Sequence, residues 1–316
     1  MNNDKLFAIA TRRSPLAMAQ ARLVQAMAAK AAGIDAARVP VRDYVSSGDR
    51  NLTGSLADIG GKGLFTKEIE EALLSGAARF AVHSMKDMPA ESPAGLVLAA
   101  VPAREDPRDV FISHIAANPW DLPPGARIGS ASVRRQAQVL ARRPDLKTVV
   151  LRGNVGTRLE KLARGEAEAT FLALAGLKRL DLEGHATAIM ATDEMLPAVG
   201  QGALCVQARA DDKEALAIAA QFNCPGTAAC VAVERAFLAG LDGSCRTPIA
   251  GLARIEQGEI RFRGELLSPD GGVRYTAEKK IPYTDNCEAA AKAAGAAAAA
   301  ELRGQAGESF FRSLGA

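Results

Sequence analysis

Short apolar runs, each followed by helical patterning, fill most of the chain, and towards its end apolar and polar residues alternate with a period of two. Residues 7–11 (FAIAT) read as a short buried strand, and Ser14-Pro15 ahead of an Ala/Leu/Met/Gln stretch reads as a helix start with proline in its first turn. Residues 126–130 (ARIGS) repeat the device: a short strand, then Ser132 and a helix-forming run through Arg143 that Pro144 stops. Two longer segments also match each other, FTKEIEEALLSGAARFAVHS (65–84) and GTRLEKLARGEAEATFLALAG (156–176). Each reads as a turn, an amphipathic helix closed by Gly76 or Gly165, and a short apolar strand. Two similar α/β lobes are the economical interpretation, although any two βα units share this texture. Paired lobes of this kind bind ligands in the cleft between them, at helix N-termini beyond the strand ends.

The pattern predicts a first lobe over residues 1–102 with 201–221, a second over 106–197, and a C-terminal α+β domain over 224–316. The crossings fall in PAREDP (102–107) and LPAVGQG (196–202). In the last domain a helix through 228–238 precedes strands at 249–255, 259–267 and 273–280, joined by the hairpin turns Gln257-Gly258 and 269–272. That is a three-stranded antiparallel sheet, and an Ala-rich helix over 287–302 closes it. Residues 45–63 are polar and glycine-rich without clear periodicity, so they read as a lid or a disordered segment.

Composition narrows the class. The 316 residues carry 39 basic and 36 acidic side chains, too even a balance for a polyanion binder that works by bulk charge, so no nucleic-acid partner is expected. No run approaches the ~18 apolar residues of a membrane span. The apolar stretch 6–10 is too short for a signal-peptide core, so the expected compartment is the cytoplasm, with no membrane partner. The five cysteines form no C-x-x-C pair and suggest neither a zinc site nor a disulfide framework, leaving free thiols and no expected metal.

Arginines then supply the first chemical signal. Arg12 and Arg13 follow the first strand, Arg134 and Arg135 follow the repeated one, and Arg152 and Arg158 flank a further turn. Guanidinium groups recurring at strand-to-helix corners point to an anionic ligand, whereas any one pair taken alone is an ordinary solvated face. In HSMKDMP (83–89) a His, a Ser, a Lys and an Asp crowd a strand end, and Pro89 forces Met88 out of helical geometry. Asp87 suits a carboxylate that stabilises a cation and shuttles a proton; a turn aspartate that merely caps a helix is the plainer alternative. In GSCRTP (243–248), Arg246 would lower the thiol pKa of Cys245 and small neighbours leave it room, yet a lone cysteine is more often a small buried hydrophobe.

Taken together, IATRRSPLA (9–17), GGKGLFTKE (60–68), AVHSMKDMP (81–89), EDPRD (105–109), ASVRRQAQ (131–138), LRGNVGTRL (151–159), LPAVGQGAL (196–204) and GSCRTPIAG (243–251) resemble the porphobilinogen deaminase family, and occur in its order. The resemblance implies two lobes like those of periplasmic binding proteins plus a third domain, and a monomer. It implies a dipyrromethane cofactor held covalently at Cys245, and a transferase that joins four porphobilinogen molecules head to tail, releases ammonia and yields hydroxymethylbilane. By motif position it implies Asp87 as the catalytic carboxylate. Ser84, Lys86, Asp87, Ser132, Arg134 and Arg135 would bind the cofactor, and Arg12, Ser14, Arg152, Arg158 and Lys62 the substrate. A non-catalytic two-lobed binding protein for an anionic solute is the alternative that the lobes alone permit.

Overall fold

The computed structural model describes residues 7–45, 66–241 and 247–314. In chain order, β1 (Ile9–Arg12), α1 (Pro15–Ala32), β2 (Val41–Tyr44), α2 (Lys67–Leu74), β3 (Phe80–Ser84) and β4 (Leu96–Ala100) come first. There follow β5 (Asp109–Ser113), β6 (Arg127–Gly129), α3 (Val133–Arg142), β7 (Lys147–Val149), α4 (Val155–Ala163), β8 (Ala169–Ala173), α5 (Leu174–Lys178) and β9 (Ala188–Ile189). Then come β10 (Leu204–Arg209), α6 (Lys213–Ala220), α7 (Pro225–Gly240), β11 (Ile249–Glu256), β12 (Glu259–Leu267), β13 (Arg274–Pro282) and α8 (Glu288–Ser313).

The described residues form two compact units, one of 7–45, 66–105 and 202–228, the other of 106–201, 229–241 and 247–314. The first unit is built on a sheet of order β2-β1-β3-β10-β4, in which β1 runs parallel to β2 and β3 while β10 runs antiparallel between β3 and β4. Both faces are covered, which is why its strands read as continuous apolar runs. Ile9, Phe80, Val82 and Val206 pack with Val24 of α1 and Ile218 of α6, while Ala8, Ala10 and Ala81 pack with Ile69 and Leu73 of α2. Burying side chains the size of Phe80 or Ile9 contributes roughly 1.5–3 kcal/mol each. Helix α1 starts where Ser14 accepts a hydrogen bond from the Ala17 N–H at 3.3 Å, with Pro15 in its first turn, and ends at Gly33 in the left-handed region (φ 65°).

The second unit repeats that plan with order β7-β6-β8-β5-β9: β6 is parallel to β7 and β8, and β5 lies antiparallel between β8 and β9. In each sheet the fourth strand in spatial order is the antiparallel one. The second unit also contains the antiparallel sheet β11-β12-β13. Its first hairpin turns on Gln257 and Gly258, both at positive φ (52° and 78°), as a two-residue type I′ connection requires. Helices α7 and α8 cover this sheet around Phe237, Phe262, Leu266, Ala291 and Ala298. Here glycine is needed for space: a Cβ on Gly264 would meet the Phe237 ring at 2.5 Å, and one on Gly295 would strike the Val233 carbonyl. The closing helix runs beyond the expected Leu302, to Ser313, because Gly307 (φ 72°, ψ 163°) breaks it and a second helical piece follows.

Candidate active site

In the first unit, the carboxyl end of β3 turns through a short 3-10 segment, Met85–Asp87. The Met85 N–H donates to the Ala203 carbonyl at 3.0 Å, and buried Met85 and Met88 anchor the turn from below. Lys86 and Asp87 are thereby left exposed on the outer side. Met88 is extended (φ −79°, ψ 138°), as the proline after it demands, and this ends the segment. Alongside, buried Thr11 lies within hydrogen-bond reach of the Ala17 and Val82 carbonyls (3.3 and 3.2 Å), which ties the end of β1 to β3 and to the start of α1. Arg12 and Ser14 follow directly, and Gln20 of α1 donates to Ser84 Oγ at 2.9 Å. Arg12, Ser14, Gln20, Ser84 and Asp87 line one small pocket of roughly 40 Å³, together with Thr66 and His83. Four predicted site residues from two strand ends thus meet. Arg13 does not join them: it is exposed and paired with Asp43 at the surface.

His83 is 5% exposed. Burial lowers its pKa to about 4; Gln207 alongside works the other way, and the charge of Arg12 works with burial. The ring is therefore neutral at ordinary pH.

In the second unit, Ser132 caps α3, accepting from the Arg135 N–H at 3.5 Å. The Arg134 and Arg135 side chains, expected at this corner as anchors for an anionic ligand, are both buried and turned onto Asp109, the fully buried first residue of β5. Arg134 Nη2 donates to Asp109 Oδ2 at 2.8 Å, Arg135 Nη2 and Nε to Oδ1 at 2.7 and 3.2 Å, and Gln201 Nε2 to Oδ1 at 2.9 Å. Burial pushes the Asp109 carboxyl up, but the two guanidinium charges and these hydrogen bonds outweigh it and hold the group well below the usual carboxylate range. Arg134 Nη1 and Arg135 Nη1 donate to the Leu196 and Phe171 carbonyls, at 2.7 and 2.8 Å. Arg134 Nε, by contrast, is buried with no hydrogen-bond partner among the described residues, a donor still to be satisfied.

Arg158 lies at the start of α4, where its Nε donates to the Gly153 carbonyl at 2.8 Å and Asn154 caps the helix through the Thr157 N–H. This fixes the turn that carries Arg152, where Gly153 adopts φ 120°. Cys245 and Lys62 lie outside the described residues, as does most of the 45–63 segment.

Sequence reasoning did not single out Asp109, Gln201 or Gln20. The signal for Asp109 was present, since two consecutive arginines in the first turn of a helix that packs on a sheet need a carboxylate, and EDPRD supplies acids nearby. Gln20 gives no such signal, being an ordinary residue within a helix.

Residues 7–217 match the family description "Porphobilinogen deaminase, dipyromethane cofactor binding domain", and residues 228–304 match its C-terminal domain. The chain belongs to the porphobilinogen deaminase family. Similar relatives bear the same name: a protein of Nitrobacter winogradskyi, 52% identical over 308 residues (98% of this chain, 96% of the relative), and one of Paracoccus denitrificans, 50% identical over 305 residues (96% and 95%). A chloroplastic porphobilinogen deaminase of rice is 47% identical over 313 residues (98% and 86%). The larger part of the chain is thus a dipyrromethane-binding region, and its residues suit that group. They include, in the first unit, a pocket that places hydroxyls and an arginine beside a carboxylate. A pyrrole bearing carboxylate side chains suits such a pocket.

Proposed function

We propose that this protein is a transferase of tetrapyrrole synthesis that condenses four porphobilinogen molecules head to tail on a dipyrromethane attached to Cys245. Ammonia leaves at each step, and hydrolysis then frees hydroxymethylbilane. The observation that carries the reading is the gathering of Arg12, Ser14, Ser84 and Asp87 in one pocket of a chain that matches the family along nearly its whole length. When bound, the dipyrromethane supplies the free α-carbon from which the chain grows.

The side chains divide the remaining work. Positive charge develops on a pyrrole nitrogen as the amino group departs, and the Asp87 carboxylate, fixed on its 3-10 turn, stabilises that charge and holds the pyrrole N–H. Arg12 and Ser14 bind substrate acetate and propionate groups, with Lys62, Arg152 and Arg158 as further anchors. Ser84, oriented by Gln20, joins Lys86, Ser132, Arg134 and Arg135 in holding the cofactor's carboxylates. The buried ion pairs with Asp109 fix both guanidinium groups, so they lose no rotamer freedom when a ligand arrives. A monomeric protein working in the cytoplasm completes the proposal.

The test is the intact mass of the freshly purified protein beside Cys245→Ser, together with ammonia release from porphobilinogen. The expected result is a two-pyrrole adduct and turnover in the native protein, both lost in the variant. Native protein without adduct or turnover overturns the reading and leaves an anion-binding protein.

A further inference from the structure

Behind the pocket lies a line of buried polar side chains to which the proposed chemistry gives no task. Thr66 Oγ1 donates to Glu70 Oε2 at 3.1 Å, and Gln207 Nε2 donates to Glu70 Oε1 at 3.2 Å. On β10, Gln207 lies two positions from Cys205, the register partner of His83 on β3, so Gln207 and His83 share a face of the sheet. Thr66, Glu70, His83 and Gln207 are all more than nine-tenths buried (1%, 7%, 5% and 0% exposed). Apolar residues would fill this space without the cost of desolvating polar groups. Within this line, His83 Nε2 and Gln207 Oε1 have no hydrogen-bond partner among the described residues. His83 itself lines the pocket that holds Arg12 and Asp87.

A neutral imidazole carries one N–H and one bare nitrogen, and the tautomer follows from what each nitrogen faces. The unpartnered Gln207 oxygen beside the ring favours an N–H on that side, which leaves the other nitrogen with a lone pair. Such a ring cannot attract a carboxylate as the arginine does, but it can accept from an N–H. We propose that His83 accepts a hydrogen bond from an N–H of the pyrrole ligand in the Asp87 pocket, with Gln207 and Glu70 fixing its tautomer from behind. The inference rests on the function proposed above.

The test compares full-length His83→Leu, His83→Gln and Gln207→Met with the native protein in porphobilinogen consumption, melting temperature and intact mass. His83→Leu is expected to keep its adduct and its melting temperature while kcat falls about tenfold or more and KM moves less. His83→Gln, whose amide oxygen also accepts, should stay within about threefold of native kcat. Equal slowness of the two variants at equal stability, or a kcat of His83→Leu within about twofold of native, overturns the inference. Should His83→Leu fail to fold, Gln207→Met decides: a reduced kcat at retained melting temperature supports the assignment, and an unchanged kcat overturns it. A native protein that does not consume porphobilinogen overturns the underlying function instead.

Discussion

The two five-stranded sheets share one plan, yet their equivalent corners carry opposite chemistry. After β3 the chain makes a 3-10 turn that leaves Lys86 and Asp87 exposed; after the matching β8 it enters α5, where Leu174, Ala175, Gly176 and Leu177 are all buried. At the other corner the similarity holds in the backbone and fails in the charges. Ser14 and Ser132 both cap the following helix, but Arg12 lines a pocket while Arg134 and Arg135 are buried against Asp109. Strand order and helix caps are properties of the plan and recur. The charges are placed unit by unit: Arg12 lines a pocket in the first, while Arg134 and Arg135 are buried against Asp109 in the second.

Two aspartates make the contrast measurable. Removing the carboxylate in Asp109→Ala leaves two buried guanidinium groups without a counter-charge and should cost about 3–5 kcal/mol, read by urea denaturation. The same ion pairs fix a pH dependence. Because the folded pKa of Asp109 is depressed, its contribution is fully present above the unfolded value of about 3.9 and is lost as pH falls below it. Asp87→Ala, at an exposed position, should leave stability within about 0.5 kcal/mol while turnover falls roughly 10²–10³-fold, seen in single-turnover kinetics. If both aspartates proved purely structural, the division between the units would collapse.

Acid titration sharpens the comparison within the first unit. With a folded pKa of about 4 against roughly 6.5 in the unfolded chain, keeping His83 neutral costs nothing above pH ~6.5 and lowers stability as pH falls towards 4, by about 3 kcal/mol in all. His83→Leu should flatten that part of the stability profile. The smallest effects test the shared plan itself: Ser14→Ala and Ser132→Ala should each cost about 1 kcal/mol, and nearly equally, because each removes one helix cap in an equivalent position.

What could be read from the sequence was local. Ser14-Pro15 and Ser132 announce helix starts within a few residues, Gln257-Gly258 specifies its own hairpin, and the paired segments ending in β3 and β8 mark the duplication directly. Of the pocket residues, Arg12, Ser84 and Asp87 were legible because strand ends deliver them, whereas Ser14 was legible as a helix cap and entered the site only through the family resemblance. The fate of Arg134 and Arg135 was not, since it depends on Asp109 and Gln201, which are distant in sequence and meet them only once β5 has taken its place beside β8. The burial of His83 was not legible for the same reason: β10, which pairs with β3 there, joins the first sheet from far along the chain. Local pattern also stopped the last helix too early, at Leu302 where the alanine-rich run ends, whereas the helix continues to a break at Gly307 and a second piece runs on to Ser313.

The alanines of α8 that face α7 and the antiparallel sheet have no side-chain torsions to freeze, so seating this helix costs little conformational entropy beyond the backbone. Its hold comes instead from surfaces brought so near that Gly240 and Gly295 leave no room for a methyl group. Such a seam can accept chemical change that adds no volume. It will refuse almost any residue that is larger, however apolar.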